Sequence, residues 1–247
     1  AVTALSFESL ARSATCHARV GKVTTRHGAF DTPAFMPVGT KATIKGILPN
    51  LVAATGAQVV LGNTLHLLLR PGPDLIERQG GLHPFMGWSG PILTDSGGYQ
   101  AYSLADTNRV TDDSVVFKSI VDGSMVELTP ERAIDTQNKL GADIIMALDD
   151  CPPSVDPATL NQARLRLAAK RDAGRQGYNH DQRLEIANER TIRWLERCVA
   201  AHARPNDQSL FGIVQGGTDL ARRDWCIDRV CAIDLPGFAI GGVAVGE

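Results

Sequence analysis

Four clusters of polar residues and glycines stand directly after short apolar runs. Asp95-Ser96-Gly97-Gly98-Tyr99 follows PILT (91–94), and Asp149-Asp150-Cys151 follows DIIMAL (143–148). Gln215-Gly216-Gly217 follows LFGIV (210–214), and Gly241-Gly242-Val243 follows GFAI (237–240). Taken singly, each cluster has a plain reading as a turn, a helix cap or a place where backbone approaches closely. Together they offer two carboxylates, Asp95 and Asp149, with the Gln215 amide, the Tyr99 ring and exposed glycine backbone. A carboxylate accepts paired N–H donors, an amide and a backbone N–H hold a carbonyl oxygen, and an aromatic ring stacks. A purine such as guanine presents that edge. A sugar phosphate calls for lysine or arginine at the strand ends, and neither follows these runs directly. Adjacent carboxylates point opposite ways along a strand, so only one of Asp149 and Asp150 faces a substrate.

These side chains need a frame. Six apolar runs, AFMPV (34–38) and AQVVL (57–61) together with the four above, are continuous rather than alternating, which predicts strands buried on both faces. Thr129-Pro130-Glu131 reads as an N-cap, a proline at the first helical position and an acid in the first turn, opening a helix through Leu140. Residues 184–202 place Leu184, Ala187, Thr191, Trp194, Leu195, Cys198 and His202 on one helical stripe, and residues 219–232 form another amphipathic helix. VVFKSI and SMVEL flank Val121-Asp122-Gly123-Ser124, which predicts an inserted hairpin near residues 115–128. Alternating strands and helices suggest a parallel α/β fold, and a doubly wound sheet and a (β/α)8 barrel both fit. No G-x-G-x-x-G follows an early strand. Polar clusters recurring after several strands are how a barrel builds its site, although six units are present and eight close a barrel.

Bulk properties narrow the class. With 247 residues, 43% hydrophobic and 21% charged, this is an ordinary globular chain. A net charge of −2 gives no global pull toward nucleic acid, so such a partner would be held by a local basic patch. Five widely spaced cysteines without a CxxC pair argue against a disulfide scaffold and for the reducing cytoplasm. No apolar run approaches a membrane span, and the N-terminal residues lack the basic-then-apolar order of a signal peptide. His66 and His83 read as packing or turn residues, and Cys16-His17 has no partner pair for a metal.

The chain resembles the tRNA-guanine transglycosylases, and their bacterial branch in particular. The resemblance is carried by TPAFMPVGTKATIKG (32–46), LGNTLHLLLRPG (61–72), GGLHPFMGW (80–88), ILTDSGGYQAYSL (92–104), VDGSMVELTPE (121–131), LGADIIMALDDCPP (140–153), FGIVQGG (211–217) and GFAIGGVAVGE (237–247). It implies a TIM barrel, one catalytic domain over residues 1–247, that exchanges guanine at the wobble position of the tRNA anticodon loop for a deazaguanine in queuosine biosynthesis. In that scheme Asp95 handles the proton on the base, and Asp149 grips its ring N–H and amino group. Ser96, Gln215 and the Gly242 backbone match further base contacts, Gly97 and Gly98 let backbone approach, and Tyr99 matches the stacking ring. Cys151 and Val245 resemble a pocket with room for little beyond an aminomethyl group, which favours 7-aminomethyl-7-deazaguanine over queuine. Glu247 lies beside a backbone segment that adapts to different bases, and Val243 stands where most members carry leucine. The resemblance also implies a homodimer and a structural zinc held by three cysteines and a histidine. The nucleophilic aspartate, the zinc ligands and the last two βα units of the family lie beyond Glu247, which predicts that these 247 residues are the first two-thirds of a pentosyltransferase and inactive alone. The alternative is a non-catalytic homologue or partner subunit that binds base or tRNA.

Overall fold

The structure is a computed structural model that describes residues 4–103, 108–154, 156 and 178–243. The chain forms two compact units: residues 1–96, 134–146 and 202–210 make the first, and residues 97–133, 147–201 and 211–247 the second.

The first unit opens with an antiparallel meander of β1 (Leu5–Arg12), β2 (Arg19–Thr25) and β3 (Gly28–Thr32). Its parallel strands are β4 (Val38–Gly39), β5 (Val60–Gly62), β6 (Ile92–Thr94) and β10 (Ile144–Met146), paired in the order β10-β6-β5-β4. Four short helices, α1 (Pro49–Ala54), α2 (Thr64–Leu69), α3 (Pro73–Arg78) and α4 (Leu82–Met86), fill the connections. Buried Val60, Leu65, Leu67, Ile76, Leu82, Ile92, Ile144 and Ile145 form the core. One polar side chain stitches it. Gln137 accepts from Thr94 Oγ1 (3.0 Å) and the Met146 N–H (2.9 Å), and donates to the Met146 carbonyl (2.8 Å). Its amide thereby satisfies both backbone polar groups of Met146.

The second unit holds α5 (Gly98–Ser103), an antiparallel sheet of β7 (Asn108–Val110), β8 (Val115–Lys118) and β9 (Met125–Leu128), and the long helix α7 (His180–Ala201). The hairpin β8–β9 pairs Val115 with Leu128 and Lys118 with Met125, and it turns through Gly123 at φ +75°. Helix α6 (Pro130–Leu140) begins where the Thr129 hydroxyl accepts the Arg132 N–H at 3.1 Å. Strand β11 (Ser209–Val214) pairs in parallel with β12 (Gly237–Ile240), joined by α8 (Leu220–Val230), whose cap Asp219 accepts the Arg222 N–H. Trp194, Leu195 and Cys198 of α7 are buried, as its stripe requires.

All six apolar runs thus carry parallel strands, and the coarse architecture is a mixed α/β fold with a parallel sheet. The expected burial on both faces is met by β6 and β10 and fails at β4 and β12. Among the described residues β4 pairs only with β5, and β12 only with β11. Phe35, just before β4, is 82% exposed and Ile240 is 81% exposed. A run of apolar residues specifies a strand, whereas its neighbours decide how many faces are covered.

Candidate active site

In the second unit the chain beyond β10 is pinned to α7 residue by residue. The Leu148 N–H donates to Cys198 Sγ (3.3 Å) and the Asp150 N–H to Thr191 Oγ1 (3.1 Å). Asp149, fixed between these tethers, accepts a hydrogen bond from Gln215 Nε2 at 2.5 Å. Asp150 turns the other way, so the opposite facing expected for neighbouring carboxylates is observed. It is not a helix cap: it accepts from Arg183 Nη1 (2.9 Å), Arg183 Nη2 (2.6 Å) and Arg190 Nη1 (2.5 Å).

Gln215 ends β11, where its own N–H donates to the buried Cys226 Sγ at 3.2 Å. Its amide carries two N–H donors, one engaged by Asp149, and the same side chain also hydrogen-bonds the Cys151 thiol. Arg223 Nη1 ties the two glycine turns together, donating to the carbonyls of Gly217 (3.1 Å) and Gly241 (3.0 Å). Space requires glycine at several of these positions, Gly98 and Gly242 among them. A Cβ on Gly98 would lie 2.7 Å from the Asp149 carbonyl oxygen, and one on Gly242, at φ +71°, would run into Gln215 Oε1. Burial, with the Asp149 and Asp150 charges behind it, pushes the Cys151 thiol up to about 12, against the weaker pull of hydrogen bonds with Gln215 and Gly242. Cys151 is therefore a neutral wall residue and not a nucleophile. Tyr99 is 40% exposed, with its ring accessible, and Val243 is likewise exposed.

The first unit holds Asp95 at the end of β6. Its carboxylate accepts from Asn63 Nδ2 (2.5 Å) and the Thr64 N–H (2.7 Å), and the Thr64 hydroxyl donates to its backbone carbonyl. His66, one turn along α2, lies in the field of Asp95 and Lys41, and burial foremost and then Lys41 lower its pKa. Ser96 is buried beside Asp95 in the sequence.

The three cysteines and a histidine that the resemblance implies for zinc do not converge among the described residues. Among the described residues one group of three or more metal-ligating side chains converges: His27, His83 and Asp143. Asp143 accepts from His27 Nδ1 (2.8 Å), the His27 N–H (3.3 Å) and the Ile92 N–H (2.9 Å). His83 Nε2 lies 3.2 Å from its second oxygen and 3.1 Å from the Gly90 carbonyl, a position that demands a proton on that nitrogen. The two rings stack with centroids 3.5 Å apart, so their in-plane lone pairs cannot both aim at one ion. The group is a hydrogen-bonded brace between the β2–β3 turn, α4 and the starts of β6 and β10. His83 is therefore more than the packing or turn residue its sequence context suggests.

The structure brings Asp149, Gln215, Gly98, Gly242 and Cys151 together, and it gives Asp95 its own cradle of Asn63 and Thr64. Val245 and Glu247 lie outside the described residues. Sequence reading missed Asn63-Thr64, Arg183 and Arg190. The asparagine in LGNTLH, directly after a strand, was the available signal for the first pair. The arginines sit on a helix rich in charge and had none.

A family model described as queuine tRNA-ribosyltransferase matches residues 14–247. Queuine tRNA-ribosyltransferases from Nostoc sp. and Thermus thermophilus are each 50% identical, over 98% and 93% of this chain and 58% and 54% of their own lengths. That from Synechococcus elongatus is 47% identical over 100% of this chain and 58% of its own length. The chain thus spans a little over half the length of these curated relatives. With a family match over nearly all its residues and relatives about half identical along it, the chain belongs to the queuine tRNA-ribosyltransferase family.

Proposed function

We propose that the protein is a tRNA-guanine transglycosylase, a pentosyltransferase that replaces guanine in the tRNA anticodon loop with 7-aminomethyl-7-deazaguanine. The observation that carries this reading is the Asp149–Gln215 pair, closed at 2.5 Å and approached by Gly98 backbone. A fixed carboxylate beside an amide complements adjacent ring N–H, amino and carbonyl groups, which is guanine's pairing edge. Asp149 accepts the two donors. Gln215, the Gly242 N–H and Ser96 serve the acceptors, with Gly97 leaving the backbone room and Val243 lining the pocket. Tyr99 stacks on the purine face. Asp95, oriented by Asn63 and Thr64, exchanges the proton that leaving and entering bases require.

Exchange at the ribose anomeric carbon is double displacement: a carboxylate attacks, the base leaves with a proton, and the new base attacks the covalent intermediate. We assign no attacking carboxylate among these 247 residues. Cys151, a neutral wall residue, leaves the pocket short at the deazaguanine substituent. A (β/α)8 barrel is the architecture proposed for the whole protein, with a homodimer as its assembly and cytoplasmic tRNA as its partner. No helix among the described residues is long and apolar enough to cross a membrane.

The test is incorporation of radiolabelled guanine into tRNA by the full-length protein. Label should enter the anticodon loop, and Asp95→Ala should abolish entry. A protein that binds guanine yet transfers none is a non-catalytic base binder, and the assignment fails.

A further inference from the structure

We propose that Asp150, Arg183 and Arg190 form a positioning clamp that holds Asp149 in its base-gripping orientation, so that guanine selectivity depends on a helix behind the site; the inference rests on the reading of Asp149 given above.

Among the described residues, Arg183, the adjacent Arg190 and Thr191, and Cys198 of α7 reach the Leu148–Asp150 segment, in steps of about two turns from Arg183 to the pair and from the pair to Cys198. Each makes a different bond to that segment. Cys198 and Thr191 accept the backbone N–H groups on either side of Asp149, and the arginines take the Asp150 carboxylate. The backbone of Asp149 is thereby fixed at both flanks, while its own side chain meets Gln215 from β11. Fixing the neighbours and leaving one carboxylate to the ligand is how a support shell preorganises a binding group.

Charge points the same way. Two adjacent buried carboxylates oppose each other's ionisation. Two guanidinium groups on Asp150 more than offset its charge, which relieves the repulsion it would exert on Asp149. The surplus is absorbed outward. Arg190 also donates from Nε (3.2 Å) and Nη2 (3.0 Å) to Asp112, and Arg193 Nη2 joins at 3.1 Å. Trp194 Nε1 anchors the same loop through the Asp112 carbonyl at 2.7 Å. Arg190 therefore spans an inner and an outer acid with one planar fork, a geometry that lysine cannot reproduce. A buried ion pair is weak evidence for stability on its own, and fixing one arrangement of a chain segment is its better-attested use.

Equilibrium dialysis of the full-length protein with radiolabelled guanine and hypoxanthine tests the clamp. Hypoxanthine lacks the exocyclic amino group, one of the two donors assigned to Asp149. Arg190→Lys should weaken guanine binding about tenfold and hypoxanthine binding less than about threefold, shrinking the preference between them. Arg190→Lys protein that keeps the wild-type preference overturns the clamp, and so does an equal loss for both bases, which is what general loosening of the fold produces. Should Arg190→Lys not fold, Thr191→Val removes only the tether at the Asp150 N–H. It should shift the preference the same way by a smaller factor, and an unchanged preference there overturns the clamp. Wild-type protein that binds the two bases equally instead overturns the assignment of Asp149 to the guanine amino group.

Discussion

Gly98→Ala separates the effect of the site from the effect of the helix in which it lies. Gly98 opens α5, and alanine in place of glycine stabilises a helix by at most the roughly 0.5–1 kcal/mol of an interior position. Propensity alone therefore predicts a more stable protein. The added methyl would lie 2.7 Å from the Asp149 carbonyl oxygen, 3.0 Å from its Oδ1 and 3.3 Å from Leu148 Cδ1, where ordinary contact begins at 3.4 Å. Two of those neighbours belong to the residue assigned to the base, and its flanks are tethered to α7. The carbonyl must retreat by about 0.7 Å, and overpacking of this kind costs about 1–3 kcal/mol, enough to cancel or exceed the helical gain. Displacing a binding group by a sizeable fraction of an ångström weakens guanine binding at least tenfold, since a misplacement of ~1 Å can cost ~100-fold. Thermal melting and guanine titration on the same preparation give both numbers. Unchanged or reduced stability with markedly weakened binding is the expected pattern. A Gly98→Ala protein that is more stable and binds guanine as tightly as wild type refutes the close approach of Gly98 to Asp149.

Two further outcomes follow from the ionisable groups. Burial works to raise the Asp143 carboxyl, but hydrogen bonds from His83, the Ile92 N–H and His27 outweigh it and hold it down at about 2. Its folded value lies below its unfolded one, so the brace contributes roughly 2 kcal/mol above about pH 4 and loses it as pH falls toward 2. The melting-temperature gap between wild type and Asp143→Asn should accordingly be wide at pH 6, narrow through pH 3 and close near pH 2; a gap independent of pH would sink this account. Thiol reactivity should divide by burial. Cys16, exposed and with its pKa lowered by hydrogen bonds to Ser13 and Ala18, should alkylate first with iodoacetamide at pH 7.5, together with exposed Cys231. Cys151 and Cys198, each pushed up to about 12 chiefly by burial, should label only after unfolding; peptide mapping that finds early labelling of Cys151 contradicts its place in the wall.

Much of the frame was legible in the residues. Thr129-Pro130 marked the start of α6, the stripe from Leu184 to Cys198 marked α7, and the Asp122-Gly123 turn marked the β8–β9 hairpin. Each is a local signal, carried by residues within one or two turns of each other. The β1–β3 meander was not anticipated, because β1 is exposed along nearly its whole length and offers no apolar run. The site was half legible. Asp149 and Gln215 stood out because glycine and carboxylate clusters after strands are unusual, and the structure places the two in contact. Arg183 and Arg190 were hidden because an arginine on a helix is ordinarily solvated, and only the fold shows that Asp150 is buried beneath them. Likewise His27 and Asp143 lie far apart in sequence, so their pairing with His83 is a property of the packing alone.

The most direct measurement is a crystal structure of the full-length protein soaked with 7-aminomethyl-7-deazaguanine. The account predicts that the ring N–H and amino group face the Asp149 carboxylate, that the ring carbonyl meets Gln215, and that the Tyr99 ring lies on the base. A base bound with its amino edge turned away from Asp149, or seated at another pair of residues, would contradict it.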